Sequence, residues 1–273
     1  MDKLYEEMLS VGETFNQDLV DLMSSITKMP YDSDFTFLWD KVSELANGCF
    51  EPIAFTLATF FFLVGFLKKT IMFEFVTMEN VVKCLLRLVV AKIIIDNSLL
   101  VVHGFAQVMD GIMAKTLLAT GTPQKPADIF DVASALLQFT PLGFVDKILK
   151  MVMELPIFLV MLACKFIIFI QLWGRFLQIC LFAMVSPLPL ATMVSEETSG
   201  VAKKFIQSYV AVLLQGLMIF LVVYLYILFM ANINNDWGTW FPGSALHVQL
   251  LVTIILVFMV AKAGNWAKQI MGV

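Results

Sequence analysis

Five runs of apolar residues, each long enough to cross a lipid bilayer, hold most of the hydrophobic residues of this 273-residue chain. They are 49–67, 88–109, 155–185, 206–230 and 246–262. A helix needs about 20 apolar residues to cross the hydrocarbon core, and no run shows the period-two alternation of a membrane-barrel strand. Apolar residues make up 60% of the chain and charged residues 15%, which is too much apolar surface for one soluble core. We therefore predict an all-α, polytopic membrane helix bundle with about five transmembrane helices.

Lysine and arginine residues favour one orientation of these helices. Eight of them lie in the 53 residues of the segments 68–87, 186–205 and 261–273. Seven lie in the 108 residues of the segments 1–48, 110–154 and 231–245. Because cytoplasmic loops are enriched in cations, the pattern predicts that the N-terminus is outside and the C-terminus inside. The segment 231–245 has no cation and carries Trp237, Trp240 and Phe241, as expected for an aromatic belt at the outer interface.

The third run is longer than one crossing requires. Residues 146–185 could form one helix of about 60 Å, roughly twice the hydrocarbon thickness, so part of it must be tilted, juxtamembrane or re-entrant. A division at Gly174 and Arg175 would instead give six crossings. We favour one long helix because no loop residues separate the two halves.

The segment 1–47 is predicted to be an acidic, helical region on the outer face, preceding a transmembrane domain that spans 48–273. Its first 46 residues contain ten acidic and three basic residues. Two apolar stripes with helical spacing run through it: Leu4, Met8, Val11, Phe15, Leu19, Leu22 and Ile26, then Phe35, Leu38, Val42 and Leu45. The negative charge favours a protein partner over lipid headgroups, and the alternative is that the stripes pack on the protein's own outer face. The outer loop 110–154 is predicted to carry one short helix near 129–137.

Polar residues inside two of the runs are the candidate functional residues. One stripe on the second run consists of Lys92, Asp96, His103, Gln107 and Asp110, which fall within about 60° of one another on a helix. On the third run Gln171, Arg175 and Gln178 share a face. Charges at membrane depth are costly and usually face a partner helix or water, so the stripe is interpreted as an assembly interface or a hydrated path. The alternative is an internal ion pair between Lys92 and Asp96 with His103 reaching the outer interface, and Arg175 either pairs with Asp96 or extends to the inner interface.

The sequence lacks the motifs of an enzyme. It has two histidines on different segments and no HExxH, GxSxG or phosphate-binding loop motif. The four cysteines have no CxxC spacing, which argues against a zinc site and a disulfide framework. No catalytic activity, metal or cofactor is expected.

A helix exit, a short polar linker and a helix restart follow the third run. The residues that carry the pattern are Pro187, Pro189, Leu190, Ala191, Thr198, Lys203, Lys204 and Phe205. Proline has no backbone N–H and stops a helix, so the exit is placed at the inner face. The order of these elements resembles the TrbL and VirB-type polytopic inner-membrane subunits of conjugative type IV secretion systems.

The resemblance implies a non-enzymatic channel or scaffold subunit in the bacterial cytoplasmic membrane. Such a subunit would form a homo-oligomeric ring, for example a pentamer, among lipids. It would help to pass single-stranded DNA with its attached relaxase, with transient DNA contact, powered by separate ATPases. The outer helices would contact stalk or pilus components. The alternative function is a small ion-coupled transporter or permease that binds a solute with Lys92, Asp96 and Arg175.

Overall fold

The computed structural model describes residues 28–32, 35–71, 78–120, 144–236 and 245–273, and within these ranges it contains helices and no strand. The all-α class is therefore confirmed. The α-helices are α1 Thr36–Leu45, α2 Glu51–Ile71, α3 Met78–Asp96, α4 Ser98–Thr120, α5 Phe144–Val185, α6 Pro187–Ala191, α7 Ser199–Asp236 and α8 Ala245–Met271. A π-helical turn at Ala46–Phe50 joins α1 to α2, and a 3-10 turn at Thr192–Val194 follows α6.

Four uninterrupted helices in the described part of the chain are long and apolar enough to cross a membrane. They are Thr36–Ile71, Leu162–Val185, Ser199–Phe229 and Leu251–Met271. These helices overlap four of the five predicted runs, and they make this a multi-pass membrane protein by length and composition. The fifth run, 88–109, is shared between α3 and α4, which are separated at Asn97. The number of five crossings and the orientation with the N-terminus outside remain predictions.

The interruption at Asn97 is local. The Asn97 side chain donates a hydrogen bond to the Ile93 carbonyl at 2.8 Å, beside the backbone N–H of the same residue at 3.1 Å. The next regular bond, from the Val101 N–H to the Asn97 carbonyl, is 3.0 Å long. Asparagine competes for backbone hydrogen bonds in this way, and the sequence pattern of apolar residues alone does not reveal it.

The second amphipathic stripe and the first apolar run form one continuous helix instead of two elements. The π-helical turn lies directly before Pro52, whose ring would clash with the carbonyl of residue 48 in a regular α-helix. A π turn widens the helix at that point and lets it continue past the proline. Helix α5 is likewise a single helix of 42 residues, which confirms the prediction of one long helix over a division at Gly174.

The chain divides into two compact units. Of the described residues, the first contains Lys28, 113–120, 144–174, 215–236 and 245–265, and the second contains 29–32, 35–71, 78–112, 175–214 and 266–273. In the first unit the Tyr226 hydroxyl lies 3.2 Å from the Thr253 hydroxyl, which joins α7 to α8. A Cβ atom at Gly264 of α8 would lie 3.2 Å from the side-chain amide of Gln215 on α7, so the two helices approach closely there.

The second unit has two hydrophobic clusters. The larger contains the buried residues Met29, Val42, Val102, Ala106, Met109, Ile179, Cys180, Ala183, Tyr209, Val212 and Leu213. Its members Met29 and Val42 show that residues just before and within α1 pack on the protein itself. The smaller cluster contains Ala54, Ala58, Ala91, Ile95, Ala191 and Val194. It joins α2, α3 and the segment that follows α5.

Three predicted features lie outside the described residues. They are the first amphipathic stripe between residues 4 and 26, the short outer helix near 129–137, and the aromatic residues 237, 240 and 241.

Candidate functional site

The predicted helix exit is a compact segment with its own hydrogen bonds. In a regular helix the Ala183 carbonyl would accept a bond from residue 187, but Pro187 has no N–H. The Ser186 hydroxyl donates to this carbonyl at 2.8 Å, and the Ser186 N–H donates to it at 3.3 Å. Downstream, the Thr192 hydroxyl donates to the Pro189 carbonyl at 2.7 Å. The Ser186 hydroxyl therefore compensates for the donor that Pro187 removes, and the Thr192 hydroxyl caps the end of α6.

The polar linker is closed on this segment by Thr198. Its hydroxyl donates to the Thr192 carbonyl at 2.8 Å, six residues back along the chain. Helix α7 begins at the next residue, Ser199, close to the restart predicted near Gly200. Thr198, one of the residues that carry the family resemblance, thus fixes the turn between the exit and the next helix.

The exit segment is buried between α2 and α3. Leu190 is 1% exposed, and Pro187 and Ala191 are also buried. Ala54 and Ala58, one turn apart on α2, form one wall of the contact. Small residues at this spacing let helices approach closely in a membrane, where packing and not exclusion of water stabilises association. The segment is consequently a wedge packed between two helices and not a solvent-exposed connection.

Five charged side chains attach the linker to α2 and α3; we call them the linker clamp. They are Lys68, Lys69, Arg87, Glu196 and Glu197. Lys68 Nζ lies 2.7 Å from Glu197 Oε2, and Lys69 Nζ lies 3.3 Å from Glu196 Oε2. Arg87 forms an ion pair with the other oxygen of Glu196. The hydrogen bond from Arg87, and then the one from Lys69, hold the pKa of the Glu196 carboxyl below its ordinary value.

Sequence reasoning used the clamp cations only as markers of membrane orientation. The one signal available was that two lysines at the end of one apolar run and two glutamates in a later linker were both predicted to be inside. Glu197 and Lys68 are 129 residues apart, so no local pattern could pair them.

The other residues of the exit motif fall into two groups. Lys203 and Lys204 on the first turns of α7 are exposed. Phe205 is half-buried, and its ring centroid lies 5.5 Å from that of Phe182 on α5. Pro189 is also half-buried. The motif therefore supplies both a packed core and two exposed cations that follow the linker in the sequence.

A second polar cluster in the same unit contains two residues of the predicted stripe and Arg175. The His103 ring packs edge-on against Tyr31 with centroids 4.4 Å apart, and Trp39 lies 6.0 Å from His103. Arg175 is 3% exposed, and its Nε donates to the Val212 carbonyl at 3.4 Å. The Arg175 side chain is therefore enclosed in the core of the unit.

The pKa of Tyr31 reflects both its burial and the charged side chains around it. Burial raises the pKa of Tyr31 to about 12, and the nearby carboxylates of Asp110 and Asp32 raise it further in the same direction, while Arg175 opposes them. The Tyr31 hydroxyl is buried and has no hydrogen-bond partner among the residues that the structure describes. Asp110 itself is half-buried.

The rest of the predicted stripe is on the surface of the chain. Lys92, Asp96 and Gln107 are exposed. The ion pairs of the described residues do not include one between Lys92 and Asp96; Lys92 Nζ instead lies 5.9 Å from the ring centroid of Phe55. Gln178 is exposed and Gln171 is half-buried. The structure thus brings His103, Asp110 and Arg175 into one cluster and leaves Lys92 and Asp96 apart from it.

Metal binding has no support in the part of the chain that is described, where no three His, Cys, Asp or Glu side chains converge. Comparison of the chain with protein-family models, with curated protein sequences and with solved structures finds no match.

Proposed function

We propose that the chain is a non-enzymatic channel or scaffold subunit of a conjugative type IV secretion system in the bacterial cytoplasmic membrane. In this role it helps to move single-stranded DNA, with its attached relaxase, across that membrane. Separate ATPases supply the energy, and stalk or pilus components contact the outer face. The proposal rests on the family resemblance of the segment from Pro187 to Phe205.

The observation that supports the proposal best is the fixed position of that segment. Buried Leu190 and Ala191 wedge it between α2 and α3, and the linker clamp attaches its end. A scaffold on which cytoplasmic ATPases act needs a face that transmits force to the membrane helices without deforming, and a packed wedge provides one.

Exposed cations that follow the linker in the sequence give this face a positive character. Lys203 and Lys204 are exposed and form none of the ion pairs among the described residues. Cations of this kind attract phosphate groups of single-stranded DNA or acidic surfaces of a partner protein. They are the residues through which a transient DNA contact would be made.

The transporter alternative requires Lys92, Asp96 and Arg175 to surround one solute. Lys92 and Asp96 are exposed, whereas Arg175 is enclosed in the core. No observation favours this alternative over the secretion subunit.

A mating assay tests the proposal. Deletion of the gene should abolish transfer of the conjugative element between cells while leaving relaxase nicking at the transfer origin intact, and the wild-type gene should restore transfer. Lys203→Glu with Lys204→Glu should reduce transfer, while the control Lys115→Glu, an exposed lysine on α4, should not. Undiminished transfer after deletion would overturn the proposal.

A further inference from the structure

Helix α3 carries an exposed stripe with the spacing of a helix–helix seam. The stripe consists of Met78, Val82, Leu85, Val89, Lys92 and Asp96, which follow one another at intervals of four and three. All six are exposed, and its four apolar members are between 49% and 82% exposed. Alternating intervals of four and three keep side chains on one line facing a second helix.

The other side of α3 already has its partner. Ala91 is 2% exposed and Ile95 is fully buried, and both pack in the cluster with Ala54 and Ala58 of α2. The four apolar members of the stripe therefore face away from the contact with α2 and are exposed. Lys92 is also exposed, and its Nζ lies 5.9 Å from the ring centroid of Phe55 on α2.

Two charges make lipid a poor cover for the stripe. Arg87, in the middle of α3, pairs with Glu196 of the linker and directly precedes the predicted crossing of residues 88–109. Lys92 and Asp96 lie five and nine residues beyond Arg87, about 7.5 and 13.5 Å along the axis of a helix. The hydrocarbon core is about 30 Å thick, so in the predicted crossing of residues 88–109 Asp96 is placed close to its middle. A lysine can extend toward an interface, but the short side chain of aspartate cannot cover such a distance.

We propose that α3 packs in parallel against α3 of a second copy of this chain, about a two-fold axis along the membrane normal. Because all copies are inserted in the membrane in the same orientation, the α3 helices of two copies that meet through α3 run parallel to each other. Lys92 and Asp96 are separated by one turn, about 6 Å, so Lys92 of each copy reaches Asp96 of the other across the seam. The stripe is self-complementary, as a two-fold contact requires, and both charges find opposite charges inside the membrane.

The apolar part of the stripe fits the same arrangement. Val82 and Val89 occupy one set of seam positions, and Met78 and Leu85 occupy the alternate set. β-Branched residues at the first set with leucine at the second favour parallel pairs. This inference rests on the position of α3 in the membrane and not on DNA transfer. A two-fold contact of this kind closes at two copies, so it predicts a dimer and does not by itself build a ring.

Disulfide cross-linking in native membranes tests the proposal. In a background in which the four cysteines are replaced by alanine, Val89→Cys is oxidised and the product is analysed without reductant. The matched control is Val90→Cys, because Val89 and Val90 are 54% and 52% exposed and adjacent on the same helix. Val89→Cys should give a covalent dimer and Val90→Cys should stay monomeric.

The charges are tested through the yield of the Val89→Cys dimer. Lys92→Asp, which places two carboxylates in each half of the seam, should lower the dimerisation constant at least about tenfold, equivalent to about 1.4 kcal/mol. Lys92→Asp combined with Asp96→Lys should restore it, because the cross-pairs are reformed with reversed sign. Membrane content and helicity of each variant are measured to exclude misfolding.

Three results would overturn the inference. They are equal cross-linking at Val89 and Val90, a monomer at both positions, and an unchanged dimer yield in Lys92→Asp. None of them affects the mating assay, so failure of this inference and failure of the proposed function are distinguishable.

Discussion

Neutralising Glu196 tests whether the linker clamp stabilises the protein. Glu196 accepts hydrogen bonds from both Arg87 and Lys69, whereas Glu197 pairs only with Lys68. The side chains of Glu196 and Arg87 are 55% and 44% exposed, so each ion pair is expected to contribute about 0.2–1 kcal/mol. Glu196→Gln should therefore lower the free energy of unfolding by about 1 kcal/mol, and Glu197→Gln by about half as much.

The magnitude is measured by denaturant unfolding in detergent micelles, followed by circular dichroism. A double-mutant cycle with Glu196→Gln and Arg87→Gln isolates the pair, and its coupling energy should be about 0.5–1 kcal/mol. The matched control is Glu79→Gln, which removes the more exposed pair between Lys83 and Glu79 on α3 and should cost about 0.3–0.5 kcal/mol. A coupling energy near zero, or a Glu196→Gln effect no larger than that of Glu79→Gln, would refute the reasoning.

The pH dependence of the clamp has a definite sign. Because the pKa of Glu196 is lowered in the folded protein, its ion pairs stabilise the fold above the ordinary carboxyl pKa of 4.5. This stability is lost as the pH falls below 4.5 through the folded-state pKa. Wild type should lose more stability than Glu196→Gln across that window, and parallel curves would contradict the assignment.

Three further predictions concern helix packing and the buried hydroxyls. Gly264→Ala should stabilise the protein by less than Gly174→Ala, since a Cβ at Gly264 meets the Gln215 amide at 3.2 Å while a Cβ at Gly174 meets nothing within 4 Å. The helix propensity gain is about 1 kcal/mol at both sites, so equal gains in unfolding free energy would contradict the close approach. Tyr226→Phe removes the 3.2 Å hydrogen bond to the Thr253 hydroxyl on α8 and should lower the free energy of unfolding by about 1 kcal/mol. Tyr31→Phe removes a buried hydroxyl that has no hydrogen-bond partner among the described residues, so it should leave the free energy of unfolding unchanged or raise it. The same sign for both variants would be evidence against this difference. Since the pKa of Tyr31 is raised to about 12, its ionisation should cost the folded state stability as the pH rises from 10 toward 12, and Tyr31→Phe should reduce that loss.

The sequence was sufficient to predict the helical class and the position of most long helices. Runs such as 206–230 are predominantly apolar. Whether such a run is buried in lipid or in protein, its backbone groups must hydrogen-bond to one another, and a helix is the result in both cases. The prediction of one helix across Gly174 and Arg175 also followed from the absence of loop residues. Helix ends were less accurate: α4 extends to Thr120 and α5 begins at Phe144, both inside the predicted outer loop 110–154.

Interruptions within helices were not predictable from apolar periodicity. The pattern does not distinguish a π turn before Pro52 from a break between two helices, because both leave the same residues on the same faces. At Asn97 the side chain competes for the Ile93 carbonyl, and a single polar residue in an apolar run gives no sign of it.

The sequence was sufficient to identify the residues of the candidate site, but not the residues that they contact. The exit motif was located from prolines and the linker that follows, and it is an ordered segment. Its burial depends on Ala54 and Ala91, which lie on other helices and are unremarkable in the sequence. The polar stripe of the second run was assigned to one face, but His103 and Asp110 are half-buried in the unit while Lys92, Asp96 and Gln107 are exposed.

The charges of α3 show how one helix comes to need two different partners. In the middle of the helix Arg87 is neutralised within the chain, because the linker between α6 and α7 supplies Glu196. Near its end Lys92 and Asp96 are exposed, since α2 offers only apolar side chains such as Ala54 and Phe55 at that level. Removing Glu196 should therefore weaken the folded monomer without abolishing dimerisation, and reversing Lys92 should do the opposite. The variant at Glu196 in the linker and the variant at Lys92 on α3 thus separate the stability of the chain from its assembly.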